Sequence, residues 1–230
     1  MAKKLPVEFL RRKRDFSPLL VHLTKDVESK GLSAKDVLIK MLTEKKLLAS
    51  NHYCLFDSDL KKPKNSSIRE KFKVVCFTET PIDLIDVLLT DLEGRYFFKP
   101  KPFGLVFTKE FIKQYGGNPV FYVAGSLFNS LWRAYEGAKG NNFDKEDNKF
   151  LALVNRCDDQ IDFHWEREWR VVGNLKFELN DIFCALCPED SMSDFEENFN
   201  ELTFIDPEWG IYEILEKLVK KVPQTEELPF

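Results

Sequence analysis

Short runs rich in Val and Phe limit what this chain can fold into. They are PLLVHLT (Pro18 to Thr24), FKVVCFT (Phe72 to Thr78), FGLVF (Phe103 to Phe107), PVFYVA (Pro119 to Ala124) and IFCALC (Ile182 to Cys187). Each has the length of a strand, and β-branched and aromatic side chains suit a half-buried pleated surface. Phe is heavily used, at 21 of 230 residues, which fits sheets packed on helices. LKFEL (Leu175 to Leu179) reads as a further strand.

Segments with helical spacing stand between these runs. Ser33 with Asp36 three residues on forms a capping box ahead of Val37, Leu38, Met41 and Leu42. Thr80 and Pro81 open a helix after the second run, and Thr108 caps KEFIKQY, which Gly116 and Gly117 end. Phe128, Leu131, Trp132 and Tyr135 share a helical face. Ser193 and Glu196 make a second capping box, and Asp206-Pro207 opens a last helix with an apolar stripe at Ile211, Ile214, Leu215, Leu218 and Val219. The polar stretch 57–70 reads as a surface loop. Strands and helices mix without strict alternation, so the expected class is α+β. Residues 1–18 form a basic arm, and 19–230 form a single α+β domain.

Several functions are disfavoured at once. The net charge of −4 creates no global field for nucleic acid or anionic lipid. No apolar stretch is long enough to cross a bilayer, and the N-terminus has no apolar signal core, so the expected location is the cytoplasm. There is no Gly-rich phosphate loop, GxSxG elbow or HExxH pair. Arg11, Arg12, Lys13 and Arg14 form either a solvated face or a contact for RNA or an acidic partner. Of the five cysteines, Cys184 and Cys187 have metal-ligand spacing but lie in an apolar run, which favours buried thiols.

Three polar motifs interrupt this apolar framework. His22 and Thr24 share one face of the first strand. Thr78 and Glu79 end the second run, where Thr80 alone suffices as a cap. In FHWEREWRVV, an extended chain puts Glu166, Glu168 and Arg170 on one face and Arg167 and Trp169 on the other. Adjacent carboxylates repel, and Arg170 is placed to compensate. Each motif also has a bland reading: a satisfied core histidine, a helix cap, and an ion-pair ladder on an edge strand.

The order HLT, VCFTETP, FGLVFTKEFI, NPVFYV and WEREWRV, spanning about Leu19 to Trp209, resembles the AbiGi family of bacterial abortive-phage-resistance proteins and the related broad DUF2971 family. That resemblance implies phage defence, as an antitoxin or otherwise. The motif order is also similar to ADP-ribosyltransferases of the DarT-like kind, which implies a split mixed sheet with a cleft for NAD. On that resemblance Glu168 is the key catalytic carboxylate and Glu166 its partner. His22 and Thr24 hold the NAD ribose, Thr78 lines the nicotinamide site, and Phe77, Trp169 and Tyr122 are candidates to stack the ring. A carboxylate there would stabilise the oxocarbenium character that develops as nicotinamide leaves. The second motif departs from the pattern, with CFTE where a hydroxyl-x-hydroxyl run is expected. The expected functions are an NAD-consuming toxin-like effector, a non-catalytic antitoxin or phage sensor that binds a toxin or phage protein, or a scaffold.

Overall fold

The computed structural model describes residues 17–93, 100–141, 146–157 and 164–219. The basic cluster Arg11 to Arg14 lies outside the described residues, as do Ile161 to Phe163. In chain order the strands are β1 (Leu19–Leu23), β2 (Lys46–Leu47), β3 (Val74–Thr78), β4 (Gly104–Thr108), β5 (Asn118–Pro119), β6 (Phe121–Val123), β7 (Val154–Arg156), β8 (Glu168–Val172), β9 (Leu175–Lys176), β10 (Ile182–Leu186) and β11 (Phe204–Ile205). The helices are α1 (Ala34–Glu44), α2 (Asp57–Leu60), α3 (Ser66–Lys71), α4 (Ile85–Glu93), α5 (Lys109–Gln114), α6 (Leu127–Asn141), α7 (Glu189–Asn198) and α8 (Ile211–Val219). The class is α+β, with a mixed sheet and flanking helices. Among the described residues no helix is long and apolar enough to cross a membrane.

The chain divides into two compact units. The first takes the residues up to Glu44, Thr80–Thr108 and Glu178 onward. Its strands run in the order β11, β10, β4, β1. β1 and β10 are antiparallel to β4, while β11 is parallel to β10. A Cβ at Gly104 would meet the His22 carbonyl oxygen at 2.5 Å, so this close pairing requires glycine. The Ser33 capping box forms as its spacing predicts: the Ser33 N–H donates to Asp36 Oδ2 at 2.9 Å and the Asp36 N–H to Ser33 Oγ at 3.2 Å. Ala34, Leu38 and Leu42 then face the core one turn apart.

Two expected helix starts in this unit are corrected. Ser193 lies inside α7, which begins four residues earlier at Glu189, directly after Pro188. The Glu189 N–H is capped from far away, by Asp206 Oδ2 at 2.7 Å. Asp206 is therefore committed to α7, its other oxygen takes the Glu208 N–H at 2.9 Å, and α8 starts only at Ile211. The apolar stripe of α8 is buried at Ile214, while Ile211, Leu215 and Val219 are exposed.

The second unit holds Lys45–Glu79 and Lys109–Phe177. Here β8 lies between β3 and β5, antiparallel to both. The expected strand 119–124 is split: Val120 donates its N–H to the Glu168 carbonyl at 2.9 Å, and β6 goes on to pair with β7 instead. LKFEL contributes only β9, after which the chain tightens into a 3₁₀ turn at Leu179–Asp181.

The polar stretch 57–70 is helical and partly buried, contrary to expectation. Asp59 explains why. Its carboxylate accepts from Lys62 (2.8 Å), Lys139 (2.6 Å), Tyr135 (2.9 Å) and Asn65 (2.9 Å), so the segment is tied inward by charge. Beneath it Phe56 stacks on Tyr135 at 4.5 Å, with Phe72 and Trp132 packed around them.

Candidate functional site

The motif EREWR is not one strand. His164–Glu166 form a 3₁₀ turn, Arg167 has φ +47°, and β8 starts at Glu168. Glu166 therefore does not share the strand face with Glu168, which corrects the alternation read from the sequence. Contacts to the β3 end hold the turn. The Thr78 hydroxyl donates to the Glu166 carbonyl at 2.7 Å, and the Glu79 N–H donates to the Arg167 carbonyl at 3.1 Å. A left-handed non-glycine residue is costly, and such outliers persist only where surrounding contacts over-determine them.

Arg170 does pair with Glu168, but inside the protein and not on an edge. Arg170 is 2% exposed. Its Nε donates to Glu168 Oε1 at 2.8 Å and its Nη2 to Oε2 at 2.9 Å. Nη1 reaches the Ala152 carbonyl and Nη2 the Tyr53 carbonyl, both at 3.0 Å. Burial pushes the Glu168 carboxyl up, but the Arg170 charge and hydrogen bonds outweigh it and hold the group below the usual carboxylate value. The surface-ladder reading is thus replaced by a closed, buried fork.

A second node surrounds Glu79. Its carboxylate takes Lys109 Nζ at 2.6 Å, Arg167 Nη2 at 3.1 Å and the Trp169 indole N–H at 2.8 Å. Lys109 Nζ also sits 5.4 Å from the centre of the Trp169 ring. Lys109 escaped the sequence analysis as a polar centre, and the several partners of Glu79 were not expected. The one signal was that Glu79 is surplus to helix capping.

The remaining candidates fall as follows. Thr78 lies directly opposite Glu168 in register, and Phe77 opposite Trp169. Phe77 and Trp169 are both buried, so neither presents a free ring face as drawn for nicotinamide. Tyr122 is half-buried, and its hydroxyl is buried with no hydrogen-bond partner among the described residues. Burial first, then the Glu168 and Glu166 charges, push that phenol well above its ordinary pKa. His22 and Thr24 belong to the first unit, where His22 stands opposite Leu105. Thr24 directs its hydroxyl at the Ala34 and Phe103 carbonyls, at 3.2 and 3.1 Å. Cys184 and Cys187 are buried thiols, as expected.

Two features were not visible in the sequence. Donor atoms of His52, Cys76 and Glu168 all lie within 4.8 Å of one another. In the same unit a groove of about 640 Å³ is lined by Tyr53, Leu55, Phe128 and Trp132, with Asp57, Lys61 and Arg156 among its polar residues. Lys61 is paired to Asp57 at 2.5 Å, and the Arg156 guanidinium lies 5.8 Å from the centre of the Phe128 ring. No family model, no curated protein and no solved structure matches the chain.

Proposed function

We propose that the chain is a binding protein of the antitoxin or phage-sensing kind, acting in anti-phage defence. Its ligand is a peptide segment of a toxin or phage protein with an aromatic or aliphatic anchor beside an acidic residue. The groove of the second unit carries this reading. Trp, Tyr and Arg are the residues that dominate binding energy at protein interfaces, and Trp132, Tyr53 and Arg156 line one concave surface here. Lys61 and Arg156 put cationic side chains in the lining, which suits an acidic residue beside the anchor. The fork between Glu168 and Arg170 gives this buried carboxylate a structural role, which favours binding over catalysis.

The test is a photo-crosslinking residue at Phe128 in cells infected with phage or co-expressing a candidate toxin. An adduct on an acidic, apolar-anchored segment, lost with Arg156→Glu, is the expected result. An adduct indifferent to Arg156→Glu, or none at all, ends the proposal.

A second reading retains the ADP-ribosyltransferase-like fold and NAD as substrate. It is favoured by the register that sets Thr78 opposite Glu168, which brings together two of the residues that the resemblance assigns to the NAD site. Nicotinamide release from labelled NAD that disappears in Glu168→Gln, compared at equal folded fraction, would move the assignment to this reading.

A further inference from the structure

We propose that His52, Cys76 and Glu168 form a binding site for one divalent transition-metal ion, with zinc the best fit. The proposal is independent of the peptide-binding reading.

The donor set comes first. Imidazole nitrogen, thiolate sulfur and carboxylate oxygen are the three ligand types that zinc takes. Zinc bonds of about 2.0–2.3 Å place neighbouring ligand atoms roughly 3.3–3.7 Å apart around a tetrahedron. The three donors here, all within 4.8 Å of one another, need to close by only about an ångström. They come from separate chain segments, the loop at 52, the middle of β3 and the start of β8, so a metal would join three elements of one unit.

The surroundings match what holds metal ligands elsewhere. Ligating carboxylates and imidazoles are themselves oriented by hydrogen bonds. Arg170 fixes Glu168 through its fork, which leaves further lone pairs on each carboxylate oxygen. The Ser50 hydroxyl lies 3.1 Å from His52 Nε2 and holds the ring. The three residues are only partly exposed, which restricts ligand exchange with solvent.

Tyr122 is the independent observation. Its hydroxyl is buried without a partner among the described residues, and it lies close enough to feel the charges of Glu168, Glu166 and Arg170. A buried orphan hydroxyl is costly and calls for an unseen partner. Three protein ligands leave a fourth position on zinc, and a water there gives Tyr122 that partner. On binding, the Cys76 S–H bond is exchanged for an S–Zn bond and the proton leaves to solvent. No redox step is involved.

The test uses the full chain, stripped with a chelator and titrated with zinc and then cobalt. Wild type is expected to bind one ion per chain, to raise its thermal midpoint with zinc, and to show a thiolate-to-cobalt charge-transfer band. Cys76→Ser should lose the band. His52→Ala, on a half-exposed loop, keeps the test open should Cys76→Ser fold poorly. Each should weaken zinc by more than the roughly 10–100-fold typical of outer-shell partners. Cys157→Ser is the control, because Cys157 Sγ sits 3.3 Å from His164 Nδ1 as a rival pair. No zinc binding by folded wild type overturns the proposal. So does wild-type affinity in His52→Ala or Cys76→Ser, or loss of binding in Cys157→Ser alone.

Discussion

Replacing Glu168 by Gln keeps the shape of the side chain and removes its charge. Arg170, 2% exposed, would then keep a positive charge with no counter-charge in the fork. Breaking a buried pair from one side costs about 3–5 kcal/mol, against a total stability of roughly 5–15 kcal/mol for a typical domain. With a urea slope of about 2 kcal/mol per molar, the unfolding midpoint should fall by roughly 1.5–2.5 M. Removing both partners, as Glu168→Leu with Arg170→Met, should recover much of this, because a hydrophobic pair avoids the desolvation of two ions. Recovery will not be complete. Arg170 also satisfies the Ala152 and Tyr53 carbonyls, and each carbonyl left bare costs about 1 kcal/mol or more. The expected order of stability is wild type, then the double variant, then Glu168→Gln. Urea unfolding followed by tryptophan fluorescence and by far-ultraviolet dichroism measures it. If Glu168→Gln melts within 1 M of wild type, the fork is not a structural element, and a structural role no longer accounts for Glu168.

Acid should unfold the second unit through two depressed carboxyls. Burial raises Asp59, but its hydrogen bonds to Lys139, Lys62 and Tyr135 hold it far below the ordinary value, and Glu168 is likewise lowered. Their contribution is present above the unfolded-state values near 4 and is lost as pH falls through the folded ones. Stability measured from pH 6 down to 2 should therefore drop below about pH 4, and less steeply in Asp59→Asn. A flat profile refutes this. Burial also raises the thiols of Cys54, to about 11, and Cys187, to about 12, so iodoacetamide at pH 8 should modify them only after unfolding, as mass spectrometry will show. Tyr122→Phe should stabilise the metal-free chain by about 1 kcal/mol by removing the orphan hydroxyl, and zinc should erase that gain; a destabilised variant without metal contradicts it.

What was legible in the sequence and what was not divides along the range of the interactions involved. The β1, β3, β4 and β10 strands and the Ser33 cap were readable because their causes lie within a few residues: side-chain type for the strands, a serine and an aspartate three apart for the cap. The errors arose where a distant residue decides. Asp59 looked like loop polarity because its partners Tyr135 and Lys139 are 76 and 80 residues away. Ser193 looked like a cap because nothing nearby showed that Asp206 already serves that helix from 17 residues on. Alternating charge in EREWR argued for a strand, yet Arg167 is left-handed because Glu79 and Thr78, 88 residues upstream, take hold of the turn. The candidate metal ligands show the same limit. His52, Cys76 and Glu168 have no motif spacing, and β3–β8 pairing together with the Arg170 fork brings two of them together. Local rules therefore specify the elements of this chain, while its buried charges specify how polar segments fold inward. For that reason the decisive perturbations are substitutions that remove a single buried charge.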